Sequence, residues 1–250
     1  MLCCVGFYVG PAVRAAEEAL TVDALARAGR VIGVLILIQM VGGFLLNFVL
    51  EAPLFGPPGF LANAAPHSQE IALGAVLGVA LEALWIGIAA TAFPVFYEGA
   101  QRAALCFFAV AAAILALAVV ENAAVMSMVS VSEAYAKASA GDRSQLETVR
   151  VIVASGRNWV HYMARMTDGL AIVVFYAAVY QLAVIPRVLA GFGVVAAALQ
   201  IIAVAMPLFH REVVFALLTP LGLCQLIVAI WLIARGFQGQ PHTAIEVRRP

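Results

Sequence analysis

Charge is what this chain has least of. Only 11% of its 250 residues are Asp, Glu, Lys or Arg, where a soluble domain carries about 25%. The 14 basic and 14 acidic side chains cancel, which leaves neither a basic face for nucleic acid nor an acidic tail. Cysteine is also scarce. Cys3, Cys4, Cys106 and Cys224 form no CxxC pair, so a disulfide framework is excluded. Cys106 and Cys224 read as small apolar fillers inside helices. The Cys3-Cys4 pair reads as incidental ahead of an acylation or metal site. No GxSxG, Walker, dinucleotide-glycine, HExxH or CxxCH motif occurs, so no nucleophile elbow, nucleotide loop, zinc helix or c-type haem attachment is written in the chain. Residues 1–10 lack the basic start of a secretory signal and are too short to span a bilayer.

What fills the space instead is hydrocarbon: 64% of the residues are hydrophobic, against about 45–50% in soluble domains. A bilayer core about 30 Å thick needs about 20 apolar helical residues. Six stretches qualify: 31–50, 71–93, 103–128, 158–185, 188–207 and 213–234. Each must be helical, because backbone groups in lipid need internal partners. The expected fold is therefore an all-α polytopic bundle of six transmembrane helices. Residues 1–30 form an N-terminal segment with a short surface helix from Pro11, residues 31–236 the membrane domain, and residues 237–250 a tail. With the N-terminus inside, Arg14, Arg27, Arg30, Arg102, Arg187, Arg235, Arg248 and Arg249 lie in the cytoplasm, and Lys137, Arg143, Arg150, Arg157 and Arg211 lie outside. That bias places both termini on the cytoplasmic side. In the outer segments, prolines 53, 57, 58 and 66 make 51–70 turn-rich. Residues 139–142 read as a break, followed by a separate short helix over 144–155 with Ser144 and Glu147 as its capping box. Gly74 and Gly78 allow close helix approach, as do Gly191 and Gly193. Pro220 is expected to kink the sixth span and free the Ala216 carbonyl.

Against this background the few charges at membrane depth are the informative residues. Glu82 lies mid-span in the second stretch, Glu121 in the third, and His161, Arg165 and Asp168 in the fourth. The last three follow an i, i+4, i+7 spacing and share a helix face. Asn122, Gln39, Asn47, Asn158, Gln200 and Gln225 lie at similar depths, and His210 stands at a span end. Charge in lipid is costly, so such residues face protein or water and often mark a pathway or site. Arg165 is expected to pair with Asp168 or Glu121, leaving Glu82 without a charged neighbour. Three carboxylates against one guanidinium leave an excess that a low-dielectric interior does not hold cheaply, so a proton or a bound cation must offset it.

Three functional readings follow. The first is a non-enzymatic membrane protein with an outward-facing polar pocket that binds or passes a small polar molecule, cation or proton. Its ligand or pathway residues are Glu82, Glu121, Asn122, His161, Arg165 and Asp168. The second is an intramembrane metal-dependent enzyme using Glu82, Glu121, His161 and Asp168, which are acceptable ligand types for zinc or iron. Haem held by His161 and His210 is a weaker variant of it, and no cofactor is expected. The third is a structural or assembly subunit whose charges set helix register or meet a membrane partner.

Several segments also carry a resemblance: RVIGVLILIQMVGGFLLNFVL (30–50), FLANAAPHSQEIALGAVL (60–77), VVENAAV (119–125) and VHYMARMTDGLAIVVFYAAVYQLAVIPRVLAGFGVV (160–195). Together they resemble a bacterial family of six-span membrane proteins known only as a domain of unknown function. The family's Ala-Asn-rich first outer loop, span-three acid, span-four His and Pro-Arg turn correspond here to Ala62-Asn63-Ala64, Glu121, His161 and Pro186-Arg187. This chain departs from it in a shorter stretch between Gly169 and Pro186 and in the Arg165/Asp168 pair. The resemblance spans about residues 30–236. It implies the six-helix architecture and no particular activity.

Overall fold

The computed structural model describes residues 11–238, and among them every regular element is helical. The long helices are α1 (Pro11–Leu45), α4 (Ser68–Lys137), α5 (Ala140–Leu182), α6 (Arg187–Ala205) and α7 (Thr219–Arg235). Two short helices, α2 (Ala52–Phe55) and α3 (Phe60–Asn63), lie between α1 and α4. Five of these segments are long and apolar enough to cross a membrane: Val22–Leu50, Ser68–Lys137, Ala140–Leu182, Arg187–Phe209 and Phe215–Arg235. The protein is a multi-pass membrane protein.

The 70-residue α4 is a hairpin, not a rod. Ala100 leaves helical geometry at φ −147°, ψ 51°. The Trp85 and Phe107 rings stand 6.2 Å apart, edge to face; on a straight helix those positions would be separated by about 33 Å. Further along the same seam, a Cβ placed on Gly78 would lie 3.0 Å from Asn122. The turn falls inside the expected gap between stretches 71–93 and 103–128. Pro94 is carried within the first arm.

Six helical segments thus close a ring: α1, the two arms of α4, α5, α6 and α7. Without a hydrophobic drive between helices in lipid, small residues that admit close approach hold such a ring together. Ala89, Ala92, Ala111, Ala171, Ala178, Ala190, Ala196, Ala197 and Ala229 are all buried. Gly74 packs against Leu46 and Leu50, and Gly193 against the Tyr176 ring, as expected of both; Gly191 has only ordinary contact, with Tyr180. One end of the ring is filled by Trp85, Phe96, Phe107, Phe175 and Tyr176. At the opposite end the chain from Glu51 to His67 folds down. Leu54, Phe60 and Leu61 pack with Ile71, Val125, Met128 and Val129 of α4. Ser132 pins this loop: its Oγ donates to the Leu61 carbonyl at 2.8 Å and accepts from the Ala65 amide at 2.8 Å.

Four expectations need correction. The separate surface helix before residue 31 is absent, since α1 runs unbroken through that point. The short helix over 144–155 is likewise part of α5, with no stop before Asn158; nothing there is a strong enough breaker, and Gly156 is tolerated. The cap of that helix is Ser139, whose Oγ accepts from the Asp142 amide, while Ser144 Oγ instead donates to the Gly141 carbonyl at 3.1 Å. The fourth helix also stops at Leu182 rather than 185, with Ala183 in the left-handed region at φ 54°. Finally, Pro220 kinks nothing. It occupies the first turn of α7, where a missing amide hydrogen costs least, and residues 215–217 form a separate 3₁₀ turn. Cys3 and Cys4 lie outside the described residues. Cys106 and Cys224 are free thiols within α4 and α7.

Candidate functional site

The ring encloses a cavity of about 210 Å³ at the loop-covered end, large enough for several water molecules. Glu82, Glu121, Asn122, His161, Arg165 and Asp168 all line it, as do Gln39, Asn47, Gln200 and Gln225. Asn158 and His210 do not. Asn158 faces a shallow surface depression with Trp159 and Tyr162. His210 is exposed in a left-handed turn position at φ 55°.

The geometry resolves into two guanidinium centres two turns apart on α5. Arg165 Nη2 donates to Glu82 Oε1 at 2.6 Å, and its Nη1 meets Asp168 Oδ2 at 2.8 Å. Arg157 Nη2 lies 3.1 Å from Glu121 Oε1 and 3.6 Å from Glu51 Oε2. Between them, His161 Nδ1 stands 2.7 Å from the same Glu121 oxygen. The expected pairing of Arg165 with Asp168 is present. Glu82 is its second partner, in place of Glu121, so Glu82 is not isolated: its counter-charge arrives from 83 positions away.

Arg157 and Glu51 escaped the sequence reading because both were assigned to outer loops. A signal existed. Residues 157, 161, 165 and 168 continue one stripe at i, i+4, i+8, i+11, visible once α5 is extended by a turn. Glu51 has no such mark; it reaches the cavity through a π-helical turn over Leu46–Leu50 that ends α1. Burial pushes the Glu51 carboxyl up from its ordinary value, against the opposing pull of the Arg157 charge. The Phe55 ring lies 5.0 Å from the Arg157 guanidinium and covers that centre from the loop side.

The arrangement holds two kinds of chemistry. Each guanidinium spans carboxylates from different elements, which fixes α4 against α5 and the end of α1 against both. The four carboxylates and two guanidiniums also leave a formal charge of −2 around the cavity when His161 is neutral. A metal centre is a poorer fit. Among the described residues no group of three or more His, Cys, Asp or Glu is placed to hold an ion together, because each arginine draws its acids apart into separate pairs. Glu82 and Asp168 are divided from Glu121 and His161 between the two guanidinium centres, and His210 does not line the cavity that His161 lines.

No curated protein and no solved structure matches this sequence. A family model does, over residues 31–236, which takes in every residue of the cavity; the chain belongs to the family described as "Domain of unknown function (DUF4386)".

Proposed function

We propose that the protein crosses a bacterial cytoplasmic membrane six times, with both termini inside, and that its cavity opens toward the outer face and binds or passes a small polar molecule, cation or proton. The six passes follow from the α4 hairpin: each arm about Ala100 exceeds the roughly 20 residues a crossing needs, which adds one pass to the five apolar helices. Orientation rests on the arginines at the short turns near 102 and 187.

The observation that carries the functional reading is the charge imbalance around one cavity. Paired arginines offset only half of the four acids. Two uncompensated negative charges in a low-dielectric wall attract a proton or a cation. The buried aromatic cluster of Trp85, Phe96, Phe107, Phe175 and Tyr176 at the far end of the ring supports access from one side. Passage across the membrane then requires the Trp85–Phe107 contact to open.

The test is chemical access. With the four native cysteines replaced, Gln39→Cys should react with a small hydrophilic thiol reagent applied to one face of sealed vesicles, while Ile88→Cys, in the apolar core, should not. Equal inertness at both positions would sink the cavity reading. That outcome would favour a second one, supported by the tight pairing of the charges, in which they serve only to fix helix register in a structural or assembly subunit.

A further inference from the structure

Three of the amides that line the cavity direct their nitrogen at backbone. Gln39 Nε2 donates to the Leu81 carbonyl at 3.2 Å, Asn122 Nδ2 to the Ala118 carbonyl at 2.9 Å, and Gln200 Nε2 to the Arg165 carbonyl at 3.3 Å. A side-chain amide has two donors on nitrogen and an acceptor on oxygen. Nitrogen is directed at backbone in each case, all three side chains line the cavity, and among the described residues none of these three oxygens receives a donor. Asp168 adds to the count. It is 4% exposed and lines the cavity; its Oδ2 is held by Arg165, and its Oδ1 has no hydrogen-bond partner among the described residues. The Nε atoms of Arg157 and Arg165 are also without partners, but each guanidinium already lies between two carboxylates.

The cavity is thus negative and rich in unused acceptors. Its lower lining is apolar, formed by Ile36, Met40, Trp85 and Ile172. A ligand complementary to both carries positive charge, several N–H donors and a short hydrocarbon body. A bare metal ion needs converging oxygens at fixed distances, which the separated carboxylates do not supply. A proton alone would use neither the amide oxygens nor the apolar floor.

We propose that the cavity binds a small organic ammonium ion. Asp168, Glu82 and the amide oxygens receive its N–H groups, and Trp85 and Ile172 flank its hydrocarbon part. This inference rests on the reading of the cavity as a solvent-accessible site and narrows its ligand to one class.

The experiment is calorimetry on the full chain in detergent micelles, with five probes at equal ionic strength: propylammonium, tetramethylammonium, propionamide, propionate and calcium. Propylammonium should bind at least tenfold more tightly than tetramethylammonium, which has the charge but no N–H donor, and more tightly than the other three. Asp168→Asn should weaken it at least tenfold. Gln200→Met, which removes one acceptor and no charge, should weaken it several-fold. The probe ranking needs no variant, so a folding defect in either one leaves it intact. Equal binding of tetramethylammonium, or preference for calcium, propionamide or propionate, overturns the proposal. So does binding by no probe. In those cases, labelling of Gln39→Cys shows that the accessible cavity stands and the ligand class alone is wrong; no labelling shows that both have failed.

Discussion

Arg157 and Arg165 sit two helical turns apart on the same face of α5, and each bridges two carboxylates, yet they are different devices. Arg165 faces the cavity with its side chain 33% exposed. Arg157 is 7% exposed, roofed by Phe55 and tied to Glu51 where α1 gives way to the loop. Identical chemistry is therefore used once beside open space and once as a clasp. Solvent can stand in for a lost partner more readily at the first centre than at the second. The difference teaches that burial, not the number of ion pairs, decides which arginine the fold depends on, and that the Arg165 centre is the one with freedom to exchange partners with a ligand.

Removing the buried cation is the severest way to break that comparison. Arg157→Ala strands Glu51 and Glu121, whose side chains are only 5% and 11% exposed on the cavity wall; breaking a buried pair from one side typically costs about 3–5 kcal/mol. The expected outcome is a large fall in thermal unfolding midpoint in detergent. Arg165→Ala should cost clearly less, because water entering the cavity hydrates Glu82 and Asp168 in its place. Equal losses would mean that the cavity is dry. A sharper form neutralises the clasp as a unit. Arg157→Met combined with Glu51→Gln and Glu121→Gln should recover most of the stability lost in Arg157→Ala, since apolar or neutral replacement of a whole buried network is often nearly neutral. A triple variant no better than the single one would show that the charges themselves, not their balance, hold the loop end together.

The two centres also mark where sequence was informative. The Arg165 centre could be read because all its members lie inside uninterrupted apolar runs, where any ionisable residue stands out. Its pairing with Asp168 one turn on could be read as well; the pairing with Glu82 rather than Glu121 could not, because nothing local says which of two distant acids will be adjacent, and the α4 hairpin decides that. The Arg157 centre was lost to a boundary. Charges at 143, 147, 150 and 157 set 144–155 apart as a short outer helix ahead of the span, yet Ser139 caps a helix that runs without a break to Leu182. The helix that seemed to lie ahead of the first span failed for the same reason: no breaker near Arg30 separates it from α1. Charge density is a poor guide to helix ends, and caps and breakers are better ones. Pro220 makes the complementary point, since a proline marks a kink or a start depending only on where the preceding turn falls.

A milder perturbation tests whether the loop is held by the clasp alone. Ser132 makes both of its loop contacts from a fully buried position. Ser132→Ala leaves the Ala65 amide and the Leu61 carbonyl without their partner, and a stranded buried polar group costs about 1–3 kcal/mol. Hydrogen exchange should rise across residues 60–66 and not at Glu82 or Arg165. Exchange spreading to those residues would mean that the loop and the cavity open as one unit.

The smallest expected effect lies at the start of α5, beyond the clasp. Ser139 Oγ accepts from the Asp142 amide and lies 2.6 Å from the Asp142 carboxylate, so Ser139→Ala removes an exposed N-cap, worth about 0.5–2 kcal/mol. The first turn of the helix should fray, while Arg157, more than four turns along, keeps its partners. Amide exchange confined to about residues 140–146, with an unfolding midpoint only slightly lower, is the outcome that fits a helix anchored by its buried stripe. Fraying that reached Arg157 would reverse the order of dependence: the cap, rather than the clasp, would then be holding this end of α5 against the ring.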